Sequence, residues 1–471
     1  MTGPLRTKLG AGEFCHIVEL VASQRMTEAK LLGISAELAG LNTVDAAGIT
    51  SYAGGGGGHN PVRTAVGAKE SGLTPNIHLT CVYQDRAGIR QTLEELHSLD
   101  IHDVLAITGD YPKERKDRAV FDLDSVALVS LIKDMRDEGM PFSISVAVSP
   151  FKYTEADCLY QYIKLEKKFA AGADFAITQM GYDVRKFREL KRYLDERQIM
   201  KPVIGTVYVL TKRAVEIMSA GQPPGCWAAP ELVDRVMEEA NSEDKGQAAR
   251  LERAARMVAI LRGLGYGGAY IGGTHNVAQI RWIISRGEEL APRWEEFAAE
   301  FNYAPKSAFY IDESPRQPAK RLGLIPNMLN FAGKMFPLRS ETLWRRLLRG
   351  MSHWIDRRPL IESVVEKFET AVKVPMFGCE SCGNCVLGDM EYVCPETCPK
   401  QIRNGPCGGT ANGQCEVIPE QTCIWVDVYE RAKAGDELES LKVYIPPPDR
   451  SLKGTSSWVN YFLERDVRAG R

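Results

Sequence analysis

Short apolar runs alternate with longer, helix-patterned segments from residue 16 to about residue 275. The runs are His16–Val21, Asn42–Gly48, Asn76–Tyr83, Asp103–Gly109, Phe142–Val148, Asp174–Met180, Pro202–Leu210 and Gly268–Thr274. Runs of this length, each separated from the next by a helix's worth of sequence, are the pattern of parallel strands joined by crossover helices. Eight of them predict an α/β fold, a closed (β/α)8 TIM barrel, rather than an open sheet. In such a barrel chemistry belongs at the C-terminal ends of the strands. The side chains at those ends are Glu19, His78 with Thr80, Gly109 with Asp110, Ser149, Gln179, Tyr208 and Thr274 to Asn276.

The sixth run carries the clearest signal. Within Ala171–Asp183 a small-residue turn feeds a short apolar stretch that ends on Gln179, with polar and aromatic side chains immediately behind it. A strand that ends this way delivers a carboxamide to the barrel mouth. One side chain then offers a donor and an acceptor together, which suits a fused heteroaromatic edge such as a pterin. A capping or turn glutamine would look the same on this stretch alone.

Outside these runs the pattern loosens. Gly54–Gly58 is glycine-rich without the spacing of a dinucleotide fingerprint or a P-loop, and is expected to be a mobile loop at the barrel mouth. Residues 212 to 262 carry charged helical sequence, expected to form outer barrel helices with solvated faces. Between about 305 and 372 the chain becomes proline-punctuated and then basic and amphipathic, with tryptophans at 344 and 354. It is expected to be a helical connector, an anionic surface being the alternative partner. The predicted organisation is therefore a barrel over 1–304, a connector over 305–372, a cysteine-rich domain over 373–430 and a C-terminal arm over 431–471.

Composition narrows the partners. The 59 basic and 61 acidic side chains nearly cancel, which argues against nucleic acid or an anionic membrane as the main partner. No apolar run approaches the length of a membrane span, and the first residues lack the apolar core of a secretory signal, so a cytoplasmic protein is expected. The arm could lie over the surface or over a neighbouring subunit, which leaves a homo-oligomer open. Eight of the twelve cysteines fall between Cys379 and Cys423. In a reducing compartment such a cluster predicts metal or cluster ligation before disulfides. Cys379, Cys382, Cys385, Cys394, Cys398, Cys407, Cys415 and Cys423 make enough thiolates for two four-ligand sites, and zinc and iron–sulfur chemistry both fit.

Several of these stretches, taken together, resemble the methylenetetrahydrofolate reductases: Glu19 closing the first strand, His78–Cys81, Thr108–Pro112, Val120–Ser125 and Ala171–Asp183, in that order and spacing. The resemblance covers roughly residues 14 to 290. It implies a barrel that holds FAD at its mouth and passes a hydride between flavin N5 and the methylene carbon of 5,10-methylenetetrahydrofolate, giving 5-methyltetrahydrofolate. By position, Glu19 matches the family's general acid, Asp110 the aspartate near flavin and pterin, and Gln179 the glutamine that touches the pterin. His78, Thr80, Gly109 and Lys168 fall at or beside flavin contacts, and Asp124 and Ser125 near the ribityl chain. Because Glu19 shares a strand face with Ile17 and Val21, desolvation should raise its pKa and keep a proton available near neutral pH. The chain departs from the better-known members at Thr108, where they have Arg, and at Ser149-Pro150, where they have Tyr-Pro.

The cysteine-rich stretch is similar to the C-terminal domain of the acetogen-type branch of these reductases, where Arg403–Gly409 is a hallmark. That likeness implies metal sites and electron delivery from a redox protein, NAD(P)H being the other donor. Expected small-molecule partners are tetrahydrofolate derivatives. Two rival functions stay open at this point: a folate-dependent methyltransferase barrel without flavin, and a non-catalytic subunit that docks a redox partner.

Overall fold

In the computed structural model of the chain, which describes residues 4–21, 26–50, 60–112, 119–319, 328 and 343–466, the eight predicted strands form a closed barrel. They are β1 (Cys15–Leu20), β2 (Ala46–Ile49), β3 (Thr74–Thr80), β4 (Asp103–Ile107), β5 (Ser143–Val148), β6 (Phe175–Thr178), β7 (Val203–Tyr208) and β8 (Gly268–Gly272). Every neighbouring pair is parallel, and β8 returns to β1 through Gly268 opposite Cys15. Most strands are slightly shorter than the apolar runs that announce them. The second run loses most at its start, up to Asp45, whose backbone N–H donates to the His16 carbonyl at 2.9 Å and whose side chain is engaged as well. It accepts the His16 N–H at 2.8 Å and the Lys8 ammonium at 2.5 Å.

Helices follow the strands at defined points because polar residues in the connecting loops cap them. Asp124, Thr154 and Asp183 each accept a first-turn N–H, starting the helices Ser125–Asp137, Glu155–Ala171 and Val184–Glu196. Between β7 and β8 the charged stretch forms three helices, Lys212–Ser219, Pro230–Glu239 and Gln247–Gly263.

The barrel interior is a packed cluster of Cys15, Ile17, Ala46, Leu105, Phe175, Ile177, Ile204 and Tyr270. Leu5 and Leu9 of the helix Pro4–Gly10 join it, so this helix seals the end of the barrel at which the strands begin. Tyr270 needs a neighbour with no side chain. A Cβ on Gly48 would sit 2.3 Å from its hydroxyl oxygen and 2.5 Å from its ring. Glycine at 48 is what lets the ring lie across the interior.

The chain divides into two compact units, Met1–Pro315 with Cys407–Asn412, and Arg316–Pro406 with Gly413–Arg471. The short cysteine-bearing segment belongs with the barrel because barrel side chains hold its backbone. Lys152, almost fully buried, bonds the Gly408 carbonyl at 2.8 Å and that of Thr410, while Gln161 bonds the Cys407 carbonyl at 2.9 Å. The second unit carries the helices Leu343–Asp356, Pro359–Phe377, Ile424–Ala434 and Ser457–Leu463, with Trp344 and Trp354 exposed. The Gly54–Gly58 loop lies outside the described residues. No described helix is long and apolar enough to cross a membrane.

Gly48→Ala should cost ~1–3 kcal/mol, the usual scale of overpacking a full interior. Chemical denaturation reads this, and an unchanged midpoint would mean that Tyr270 does not occupy the space beside Gly48.

Candidate active site

On β1, side chains alternate between the barrel interior and the helix layer. Ile17 faces in, so Glu19 faces in two residues later, at the mouth. Room for its carboxyl comes from β8, where a Cβ on Gly272 would lie 2.7 Å from Glu19 Oε2. Tyr208 and Tyr270 stand close enough to feel its charge, which adds to burial in pushing both phenols up. Burial alone pushes the Glu19 carboxyl from 4.5 to about 7. Ionisation there would strand a charge with poor solvation, so near neutral pH the group holds its proton about half the time.

On β3, His78 Nε2 and the Tyr270 hydroxyl are 3.1 Å apart. Burial pushes the imidazole down to about 4, so His78 is neutral at physiological pH and acts through hydrogen bonding and shape. Thr80, half-buried, follows on the same strand face.

The end of β4 turns sharply at Gly109, whose φ of +86° places it in the left-handed region. A Cβ there would also sit 2.4 Å from Val82 Cγ2. Only glycine fits, and the turn delivers Asp110 to an exposed position. Next to it, Thr108 Oγ1 accepts the Ser125 N–H at 3.2 Å, and Asp124 Oδ1 accepts the N–H groups of Val126 and Ala127 at 2.9 and 3.0 Å. Asp124 and Ser125 are therefore buried parts of a helix start, which ties the loop after β4 to the mouth.

Lys168 reaches inward from the helix Glu155–Ala171 and donates to the Ala147 carbonyl of β5 at 2.6 Å. Lys164 and Lys167 are buried with it, and Asp124 is the carboxylate whose charge reaches both Lys167 and Lys168. Burial pushes both of those ammonium groups down to about 7. Three lysine side chains are thus buried on one face of this helix. Sequence reasoning singled out Lys168 alone. The signal for the other two was present in the spacing of 164, 167 and 168, which share one helix face on the approach to the Gln179 strand.

Gln179 follows β6 directly. Its N–H donates to the Val148 carbonyl at 2.7 Å, and its side-chain Oε1 accepts the Met180 N–H at 2.9 Å, which orients the carboxamide. Beside it at the end of β5, the Ser149 hydroxyl is buried and finds no hydrogen-bond partner among the described residues. A buried hydroxyl of this kind at a barrel mouth is a place for a ligand's polar atom. Glu19, His78, Thr80, Gly109, Asp110 and Gln179 thus all sit at the C-terminal ends of their strands, with Lys168, Asp124 and Ser125 contributed by the adjoining helices.

In the cysteine-rich stretch none of the eight cysteines is in a disulfide. Among the described residues, no three His, Cys, Asp or Glu side chains are already drawn into metal-holding geometry.

Comparison with known proteins agrees with this architecture. A family model described as methylenetetrahydrofolate reductase matches residues 12–265, and one described as methylene-tetrahydrofolate reductase C terminal matches residues 359–451. A 5,10-methylenetetrahydrofolate reductase of Pectobacterium carotovorum is 33% identical over 27% of this chain and 41% of its own. A probable methylenetetrahydrofolate reductase (NADPH) of Caenorhabditis elegans is 30% identical over 28% of this chain and 20% of its own. The Escherichia coli 5,10-methylenetetrahydrofolate reductase is 31% identical over 25% of this chain and 38% of its own. The matched stretches thus span less than half the length of each of these relatives.

The desolvated carboxyl predicts a pH-dependent stability. Unfolded, Glu19 loses its proton near 4.5, and folded near 7. Between those values the native state retains a proton that the unfolded state has lost, so stability falls as pH rises through that window. Glu19→Gln should therefore stabilise the protein by ~3 kcal/mol above neutral pH and by little in mild acid. Denaturation at about pH 5 and about pH 8 measures the difference; equal effects at both would show that the carboxyl is well solvated.

Proposed function

Because the chain belongs to the methylenetetrahydrofolate reductase family, we propose that it interconverts 5,10-methylenetetrahydrofolate and 5-methyltetrahydrofolate, with FAD bound at the barrel mouth. The observation that carries this reading is the Glu19 carboxyl, held at the strand end with its proton affinity raised to about 7. Opening the imidazolidine ring of the substrate to a cationic iminium requires a proton on the departing nitrogen, and a carboxyl poised near neutrality supplies it.

FAD, once bound and reduced by the electron donor, would supply from N5 the hydride that the methylene carbon accepts. The residues fit such a group: Lys164, Lys167 and Lys168 are a buried cationic set suited to its diphosphate, and the Ser149 hydroxyl has a bond to give. Neutral His78, steadied by Tyr270, adds a polar face without charge. Asp110 brings a carboxylate to the same rim, where it favours the iminium cation. The oriented carboxamide of Gln179 suits the paired donors and acceptors of a pterin edge. We assign the eight clustered cysteines to metal or cluster binding, with electrons arriving from a redox protein or from NAD(P)H.

Freshly purified protein should show a flavin spectrum and oxidise methyltetrahydrofolate with an added electron acceptor; a colourless protein that does neither would refute the proposal. Glu19→Gln should cut turnover at least about a hundredfold while leaving the flavin spectrum intact. The pH profiles of the parent enzyme should be mirror images. Formation of 5-methyltetrahydrofolate declines as pH rises through about 7, where the acid loses its proton, and the reverse reaction gains over the same range because Glu19 then serves as the base. Lys168→Met should weaken FAD binding by about tenfold or more, the scale of one charge-assisted hydrogen bond, as read by flavin titration.

A further inference from the structure

Cys379, Cys382, Cys385 and Cys394 line a single hollow in the second unit, together with Lys373, Glu369 and Ser457. These four thiols are one another's electrostatic neighbours: Cys394 senses Cys382 and Cys379, while Cys379 and Cys382 both sense Cys385. Cys398, the next in sequence, instead has Cys415 as its cysteine neighbour. The arrangement sets the first four clustered cysteines apart from Cys398, a grouping that the spacing of the letters leaves open.

Two buried cations touch this set, one on each of two sulfurs. Lys373 Nζ lies 3.4 Å from Cys385 Sγ, and the Arg403 guanidinium 3.8 Å from Cys382 Sγ. Each is anchored on its other side by a buried carboxylate: Glu369 at 2.5 Å from Lys373, and Glu396 at 3.0 Å from Arg403. Glu369 is itself held by the hydroxyls of Ser456, at 2.7 Å, and Ser457. Burying two ion pairs costs more than filling the same space with apolar side chains. Aiming their spare donors at sulfur is of little use while the sulfurs are neutral thiols, which accept hydrogen bonds weakly. It becomes useful once they are thiolates, as the ligands of a soft metal are, because donors from an outer layer fix ligand orientation.

We propose that Cys379, Cys382, Cys385 and Cys394 together ligate one thiophilic centre, a zinc ion or an iron–sulfur cluster, and that Lys373 is a positioning residue that holds the Cys385 sulfur toward it. This rests on the assignment of the cysteine-rich unit to metal binding and is independent of the flavin and folate reading of the barrel. Four sulfurs satisfy either tetrahedral zinc or a cluster. The free thiols close on the centre as it binds, since metal ligation and local folding are coupled.

The test uses the full chain prepared without oxygen, with zinc, iron and acid-labile sulfide measured per chain. Cys385→Ala and Cys394→Ala should each remove one and the same centre, so that the double variant loses no more than either single one, while Cys394→Ala combined with Cys398→Ala loses more. Zinc without sulfide identifies an ion, and equal iron and sulfide a cluster; both support the proposal. Lys373→Met keeps every thiol and should retain the full metal load, yet surrender this centre to a chelator about tenfold faster, with Lys373→Arg restoring the slow rate. A parent protein without metal, a Cys385/Cys394 double variant that loses two centres, or unchanged release from Lys373→Met would overturn it. Metal content, sulfide content and chelator release are all read without flavin or folate turnover, so failure here and failure of the barrel reading are distinguishable.

Discussion

A carboxyl group at the mouth end of an apolar strand, turned into the barrel, has little water to ionise into, and the upper part of the barrel is arranged around that constraint. Gly272 leaves the space that Glu19 fills, and Tyr208 and Tyr270 line it without bringing a cation. A nearby lysine would have favoured the charged form and emptied the site of its proton. The same desolvation acts on bases in the opposite sense, lowering His78 to about 4 and Lys167 and Lys168 to about 7. The mouth thus holds a carboxyl whose proton affinity is raised and bases whose proton affinity is lowered, both by loss of water.

Positioning depends on what the backbone leaves out as much as on the side chains it carries. Tyr270 reaches His78 because Gly48 offers no Cβ to stop it, and the hydrogen bond that results steadies both rings near the mouth. At β4 the left-handed Gly109 makes the corner that puts Asp110 on the rim, while Thr108, Asp124 and Ser125 lock the following helix start in place. Thr108 in this chain is therefore a structural fastening.

The second unit is no bead strung after the first. The chain leaves the barrel unit after Pro315, returns to it for Cys407–Asn412, and leaves again. Lys152 and Gln161 are spent on the backbone of that returning segment, at the cost of burying an ammonium group. Within the second unit the buried pairs Lys373–Glu369 and Arg403–Glu396 follow the same logic: a cation is affordable inside when a carboxylate stands behind it and an acceptor in front.

Strand number, strand order and the identity of the rim residues were legible in the letters, because period-two runs, helix-length spacers and a glycine before an acid are local patterns with local causes. The eight runs, and Glu19, Asp110 and Gln179 at their ends, needed no knowledge of the third dimension. Companions were another matter. His78 meets Tyr270 across 192 residues, Lys164 and Lys167 turn inward only because their helix is buried on nearly every side, and Lys373 finds a sulfur on a different stretch of chain. These pairings were decided by the closing of the ring and the packing of helices on it, since which polar groups lose water, and which partner then satisfies them, depends on neighbours brought together by the whole fold.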